Sequence, residues 1–258
     1  MSVISITSDW GLKDHYVAAV KGSILTYIPD ATIVDISHDI PSFDLSQTSF
    51  VIRNSYKYFP KGSIHIIGVK SDASIKTPHT AVLYDGHYFL GADNGIFSLI
   101  FDSDPEKIVE IDIIQDTDSF TFSTRDVFVR AAAHIAKGEP IENLGIVKDS
   151  LMQKMSFAPV VEKNAIKGKV IYVDTYENVI TNITEPLFKE LVRKKPFSIV
   201  FRTPGYLIST ISKSYDDVPE GEMLALFSTG SHLEIAINLG KASSLLGLHI
   251  DDVVRIEF

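Results

Sequence analysis

The chain opens on Val3 to Ile6, a short apolar run of the kind that forms a buried strand, and after Asp14 the residues Val17, Val20, Ile24 and Ile28 recur at helical spacing. Ile33 to Ile36 is the next apolar run. Asp44 with Gln47 three residues later makes a capping pair, which predicts a helix running to about Tyr58. Ser63 to Val69 reads as a third strand. Strands alternating with helices of this length predict a mostly parallel sheet with helices on its faces, and ligands in such sheets sit beyond the carboxyl ends of the strands. Thr80 to Tyr84 and His87 to Leu90, joined by Asp85-Gly86, predict an added hairpin. Asp126 to Ala136 reads as the last helix of this part, with Gly138 just past its end.

After roughly Pro159 helical periodicity nearly disappears, and short apolar runs return at the spacing of all-β modules. The expected strands are Val170 to Val173, Val179 to Ile183, Ser198 to Phe201, Tyr206 to Ile211, Met223 to Phe227, Leu233 to Ile237 and Val253 to Phe258. The fold class expected is therefore α/β followed by a small β-barrel, with an α/β domain over 1–160 and a barrel over 168–258. The stretch Glu162-Lys163-Asn164-Ala165-Ile166-Lys167 reads as the link between them.

Composition narrows the function classes. With 33 acidic and 24 basic residues among 258, the net charge is -9, which leaves no broad cationic surface for a phosphate backbone, so nucleic acid is not an expected partner. The chain has no cysteine, which excludes disulfide and thiolate chemistry and is compatible with a cytoplasmic setting. No window approaches about 18 uninterrupted apolar residues, and the N-terminus lacks the pattern of an export signal, so a soluble, unanchored protein is expected, with no membrane partner.

Asp9 lies just past the first strand and Asp14 five residues on, so both face the ligand crevice. A carboxylate there can accept two hydrogen bonds from a ribose diol or pair with an ammonium group; it can equally cap a helix or hold a turn. Trp10 and Tyr16 offer stacking surface for a planar base, or plain packing. Asp9, Asp14, His15 and His38 could together be imagined around a metal, but they lack recognised ligand spacing, and no metal site or resident cofactor is expected.

Several collinear motifs carry a resemblance: Ser8-Asp9-Trp10-Gly11 with Asp14, Tyr16 and Lys21-Gly22; Ile33 through Pro41 with Phe43-Asp44; Tyr58 through Ser63; Gly91 through Gly95; Arg125 through Phe128 with Ala131 to His134; Val173-Asp174 with Asn178 to Ile183; and Ser228-Thr229-Gly230 with Leu233 to Asn238. Together they resemble the S-adenosylmethionine hydroxide adenosyltransferases, relatives of the fluorinase and chlorinase. The resemblance implies an α/β domain followed by a small barrel, assembled as a homotrimer in which each pocket joins one subunit's first domain to its neighbour's second. It implies S-adenosylmethionine or adenosine as the ligand. Asp9 would hold the ribose hydroxyls, Asp14 and Tyr16 would lie near the methionine moiety, and Phe43 would pack by the ribose or sulfonium. Asp174 would meet the amino acid end, Tyr176 and Asn178 the adenine, Ser228 and Thr229 the methionine carboxylate, and Tyr215 would flank the base. As loop residues, Asn178 and Ser228-Thr229-Gly230 could equally be turn formers.

The reaction of that family displaces methionine from the ribose 5′ carbon, and its positively charged sulfur already activates the leaving group. Alignment and desolvation of the nucleophile should therefore matter more than acid catalysis of departure, while water as nucleophile needs help in losing a proton. The hydroxide-using members employ an aspartate, an arginine and a histidine for this. Here those positions fall on Lys70, Thr77 and Ser123, while the fluorinase's halide-binding serine falls on Thr124. Lys70, Ser123 and Thr124 are thus the candidate catalytic positions, with Asp72 and His79 as further members of a rebuilt site. Asp72 is two residues from the lost aspartate, roughly 6 to 7 Å along an extended chain, too far for an unadjusted substitute. Three functions stay open: hydrolysis of S-adenosylmethionine to adenosine and methionine, ligand binding or sensing without turnover, and halide-using adenosyl transfer.

Overall fold

The computed structural model describes residues 2–113, 122–155, 157–193, 195–202, 205 and 207–258. The chain divides into two compact units, Met1–Ser156 and Phe157–Phe258.

The first unit runs β1 (Val3–Ser8), α1 (Tyr16–Tyr27), β2 (Thr32–Ser37), α2 (Leu45–Arg53), β3 (Ile64–Gly68), β4 (His79–Tyr84), β5 (His87–Ala92), α3 (Ile96–Ile100), β6 (Lys107–Ile111), α4 (Val129–Ala136) and β7 (Gly145–Val147). Its sheet has the order β2-β1-β3-β5-β4-β6-β7. The first four strands in that order pair in parallel, with Ile4 opposite both Ile33 and Ile64; the rest are antiparallel. Strand β1 thus has β2 on one edge and β3 on the other. Chain leaving its carboxyl end goes to one side and chain returning later goes to the other, which is the switch point where open sheets form a crevice. Side chains alternate across the sheet. Ile4, Ile6, Ile64, Ile66 and Leu90 share a core with α1 and α4, whereas Ile67, Val82 and Phe89 share another with α2 and α3.

Local signals act as expected at two places. Asp44 Oδ1 accepts the Gln47 amide at 2.9 Å, so the capping pair does open α2. The helix stops at Arg53, short of Tyr58, and a single 3-10 turn over 56–58 replaces its end. Asp85 and Gly86 both have positive φ, 49° and 68°, the geometry of a type I′ hairpin turn between β4 and β5. In contrast, Asp14 does not cap α1: His15 occupies that position, and no side chain accepts from the first turn.

The second unit runs β8 (Val160–Glu162), β9 (Ala165–Val173), β10 (Val179–Thr184), α5 (Glu185–Leu191), β11 (Ser198–Phe201), β12 (Leu207–Ile208), β13 (Met223–Phe227), β14 (His232–Ile237), α6 (Ala242–Leu246) and β15 (Val253–Glu257). All pairings are antiparallel, in the order β12-β11-β15-β9-β10-β14-β13, which makes a nearly closed barrel. Strand β9 bends to serve both halves: residues 165–169 pair with β15 and residues 170–173 with β10. Gly168 sits at the bend, where a Cβ would collide with Ile183 and Asn182. The stretch 162–167 is accordingly not a link. It is the β8–β9 hairpin, because Ala165 and Ile166, buried in the barrel, make it core rather than connector. Of the expected Tyr206–Ile211 strand only Leu207–Ile208 pairs, and Tyr206 lies outside the described residues. No described helix is long and apolar enough to cross a membrane.

A polar chain crosses the first sheet beneath α2. Ser5 Oγ and His65 Nδ1 are 2.6 Å apart, and His65 Nε2 lies 3.3 Å from His87 Nδ1, with Phe89 stacked on His65. Burial holds His65 neutral and pushes its pKa down to about 3, with His87 adding to the effect. The unfolded chain takes up that proton near pH 6.5 and the folded chain does not, so stability is full above pH 6.5 and falls as the pH drops from there toward 3. At about 1.4 kcal/mol per pH unit, the His65 contribution between pH 7 and 5 is about 2 kcal/mol. Urea denaturation at both pH values is expected to show that loss, and His65→Asn, which keeps an acceptor toward Ser5, is expected to remove most of it.

Candidate functional site

At the carboxyl end of β1 the chain turns through Gly11, whose φ of 65° suits glycine and whose N–H donates to the His38 carbonyl at 2.7 Å. Between them Asp9 is half-buried, and its Oδ2 accepts the Phe43 amide at 2.8 Å. Phe43 has φ 65°, a costly conformation for a ring-bearing residue, and its phenyl is 70% exposed. The Asp9 carboxylate therefore holds the chain after β2 in place and leaves Oδ1 free of described partners. Trp10 packs against Gly68, where a Cβ would come to 2.5 Å from its ring. Tyr16 and Phe122 meet edge-on at 5.5 Å and both adjoin Trp10, so the aromatic residues near Asp9 form a wall. Asp14 is exposed beside it, with no described bond.

The second wall begins where β3 ends. Lys70 is exposed and left-handed, φ 48°, and its carbonyl accepts from the Asn94 amide at 2.9 Å. The turn it makes brings Ser71 to Thr124, whose hydroxyl donates to Ser71 Oγ at 3.1 Å. His79 Nε2 lies 3.2 Å from the Ser71 carbonyl. A carbonyl only accepts, so that nitrogen carries the proton and Nδ1 of a neutral ring keeps its lone pair. Burial, the largest influence on His79, lowers its pKa and keeps it neutral. Thr124 is fully buried and opens a π-helical turn over 124–128, a feature often found at functional sites. Ser123 is buried beside it without a capping bond. Thr77 stands apart: its hydroxyl and amide close a tight turn with Ser74.

In the second unit Asp174 organises the β9–β10 turn. Its Oδ1 accepts the amides of Tyr176 and Asn178 at 2.9 and 2.8 Å, and its Oδ2 accepts from the Asn178 side-chain amide at 3.1 Å. Asn178 is buried, with no described donor on its side-chain Oδ1, while Tyr176 is 76% exposed. Tyr215 donates its hydroxyl to Glu234 at 2.7 Å. Burial raises the Glu234 carboxyl, and nearby Asp174 raises it further. Ser228 belongs to a tight turn, its amide on the His232 carbonyl and its own carbonyl accepting from Ser231, with Thr229 exposed at the tip.

The structure thus gathers Asp9 with Phe43, Trp10 with Tyr16, and Thr124 with Ser71 and His79 in the first unit, and Asp174 with Tyr176 and Asn178 in the second. Among the described residues no three His, Asp or Glu side chains are grouped to hold a metal ion. His38 has its ring on Ser8, and His15 stacks on Tyr16 at 4.4 Å. Sequence reading missed Ser71 and Glu234. Ser71 adjoins Lys70 and would have been found by asking what a buried Thr124 hydroxyl donates to; a lone glutamate inside an apolar strand was the signal for Glu234.

The model of the SAM hydroxide adenosyltransferase N-terminal domain matches residues 4–145 and that of the C-terminal domain residues 168–255. The (R)-S-adenosyl-L-methionine hydrolase of Thermus thermophilus is 29% identical over 99% of this chain and 100% of its own length. That of Methanocaldococcus jannaschii is 28% identical over 99% of this chain and 96% of its own. A fluorinase of Nocardia brasiliensis is 24% identical over 92% and 90%. A crystal structure of an uncharacterized conserved protein from Thermotoga maritima superposes with a TM-score of 0.91 at 31% identity, covering 99% of this chain and 100% of that one. With both domain models matched in order over most of its length, the chain belongs to the SAM hydroxide adenosyltransferase family.

Proposed function

We propose that this protein hydrolyses S-adenosylmethionine to adenosine and methionine. The observation that carries the reading is Asp9: a carboxylate at the switch point of the sheet, fixed through Oδ2 and open at Oδ1, in a chain whose relatives over nearly its full length are named (R)-S-adenosyl-L-methionine hydrolase. On this reading Oδ1 takes the ribose hydroxyls, Phe43 covers the ribose or sulfonium, and Asp14 and Tyr16 lie by the methionine. The Asn178 side-chain Oδ1 receives the adenine amino group beside Tyr176 and Tyr215. Asp174 keeps a lone pair on Oδ2 for the ammonium, and Ser228 with Thr229 meets the carboxylate. These barrel residues come from a neighbouring copy in a homotrimer.

Water attacks the 5′ carbon as the carbon–sulfur bond breaks and its electron pair returns to sulfur. The water's proton must leave during attack. Thr124, Ser71 and His79 are the group proposed to orient the water and accept that proton, with Nδ1 of neutral His79 as the base. Replacement of the family's three water-handling residues by Lys70, Thr77 and Ser123 favours a second reading, ligand binding without turnover. Lys70 reverses the local charge, and Thr77 is spent on its own turn.

Purified protein incubated with each sulfonium epimer of S-adenosylmethionine is expected to release adenosine and methionine in equal amounts. Saturable binding with no product above the buffer rate would select the second reading. Asp9→Asn is expected to lower kcat/KM by about 10- to 100-fold, the worth of hydrogen bonds to a charged acceptor. Since burial lowers the His79 pKa, the unprotonated form persists to lower pH, so kcat/KM should stay flat from pH 8 to below 6.5; His79→Gln should lower kcat by about 100-fold. Sedimentation should give a mass of three chains of 28.6 kDa.

A further inference from the structure

His38 is 6% exposed, and it grips the β1 exit from two directions. Its ring Nδ1 is hydrogen-bonded to Ser8 Oγ at 2.7 Å, and its carbonyl accepts the Gly11 amide at 2.7 Å. Ser8 and Gly11 flank Asp9 and Trp10. Beyond the ring, Nε2 lies 3.0 Å from Asp35 Oδ1, an electrostatic contact rather than an aligned hydrogen bond, and Lys21 holds the other oxygen of Asp35 at 2.5 Å. These contacts join the ends of two adjacent parallel strands, because Ser8 terminates β1 while Asp35 and Ser37 close β2. The Ser8 hydroxyl is taken up by the His38 ring and serves the fold of the turn.

A carboxylate that must meet two hydroxyls needs its oxygen placed within about 0.5 Å, and such placement depends on the residues behind it. Asp9 receives one fixing bond of its own, from Phe43, and that residue lies on the same post-β2 segment that His38 begins. The segment 38–43 therefore holds the segment 8–11 at three points: the Ser8 hydroxyl, the Gly11 amide and the Asp9 carboxylate. We propose that His38 is a positioning residue for diol recognition: through Ser8 it sets the backbone that aims Asp9 Oδ1 at the ribose hydroxyls. This rests on the ligand reading given above and adds to it a residue that touches no substrate.

A positioning role predicts a loss confined to ligands that carry the diol, whereas a residue needed only for folding would weaken every ligand alike. Calorimetry of the full-length protein with adenosine and with 2′,3′-dideoxyadenosine separates the two. His38→Gln moves the ring-nitrogen equivalent out of reach of Ser8 and is expected to weaken adenosine about tenfold while changing dideoxyadenosine less than twofold. His38→Asn, whose amide reaches the Nδ1 position, should recover most of the adenosine affinity. Ser8→Ala removes the other partner and should reproduce the His38→Gln pattern, which keeps the test available if His38→Gln fails to fold. The double variant should lose no more than either single one, as expected for partners in one bond. Equal losses for both nucleosides, or no loss for either, would overturn the proposal. If the wild-type protein and Asp9→Asn bind the two nucleosides alike, diol recognition by Asp9 itself fails, an outcome distinct from the failure of His38 alone.

Discussion

Strand β1 is hydrogen-bonded on both edges and covered on both faces, and the rest of the first unit follows from that burial. Ile4 and Ile6 are fully buried on one face and Ser5 and Thr7 on the other. With β2 on one side and β3 on the other, the loops that follow all three strands rise around the same crevice. Asp9, Phe43 and Lys70 are each the first or an early residue after one of these strands or its following turn, and the crevice is where a ligand would meet them. The same constraint explains the glycines: Gly68 must be bare for Trp10 to lie across the end of β3, and Gly11 must be left-handed to return its amide to His38.

The two walls of the crevice differ in kind. Around Asp9 the contacts are redundant, with the carboxylate, the Ser8 hydroxyl and the Gly11 amide all tied to one segment, and such redundancy fixes the geometry of this wall. Around Lys70 the backbone is left-handed and the polar groups are hydroxyls and one imidazole held neutral by burial. The three positions for which the resemblance implies a carboxylate, a guanidinium and an imidazole hold Lys70, Thr77 and Ser123 in this chain.

The barrel solves a different problem, how to keep carboxylates near an apolar core. Asp174 is satisfied by three donors within its own turn, and Glu234 by the Tyr215 phenol. Each bond offsets a desolvation cost and at the same time orients a phenol ring or an amide. The residues that the resemblance singles out in the barrel are thus also the ones that hold its turns together.

The amino-acid sequence alone determined what depends on neighbours along the chain. The alternation of apolar runs set the β1–α1–β2–α2–β3 series, Asp44 and Gln47 set the start of α2, and Asp85-Gly86 set a hairpin, since each needs only local geometry. Collinear motifs also singled out Asp9, Phe43, Thr124, Asp174 and Asn178 as candidates. Tertiary structure decided the rest. The hairpin at 162–167 looked like a linker because its polar residues Glu162, Lys163, Asn164 and Lys167 hide Ala165 and Ile166, whose burial exists only once β15 pairs with β9. Asp14 looked like a cap, but the helix begins one residue further on. His38 met Ser8 across 30 residues because β1 and β2 lie side by side in parallel, and Ser71 met Thr124 across 53 because the 124–128 turn packs at the end of β3; no local pattern encodes either contact.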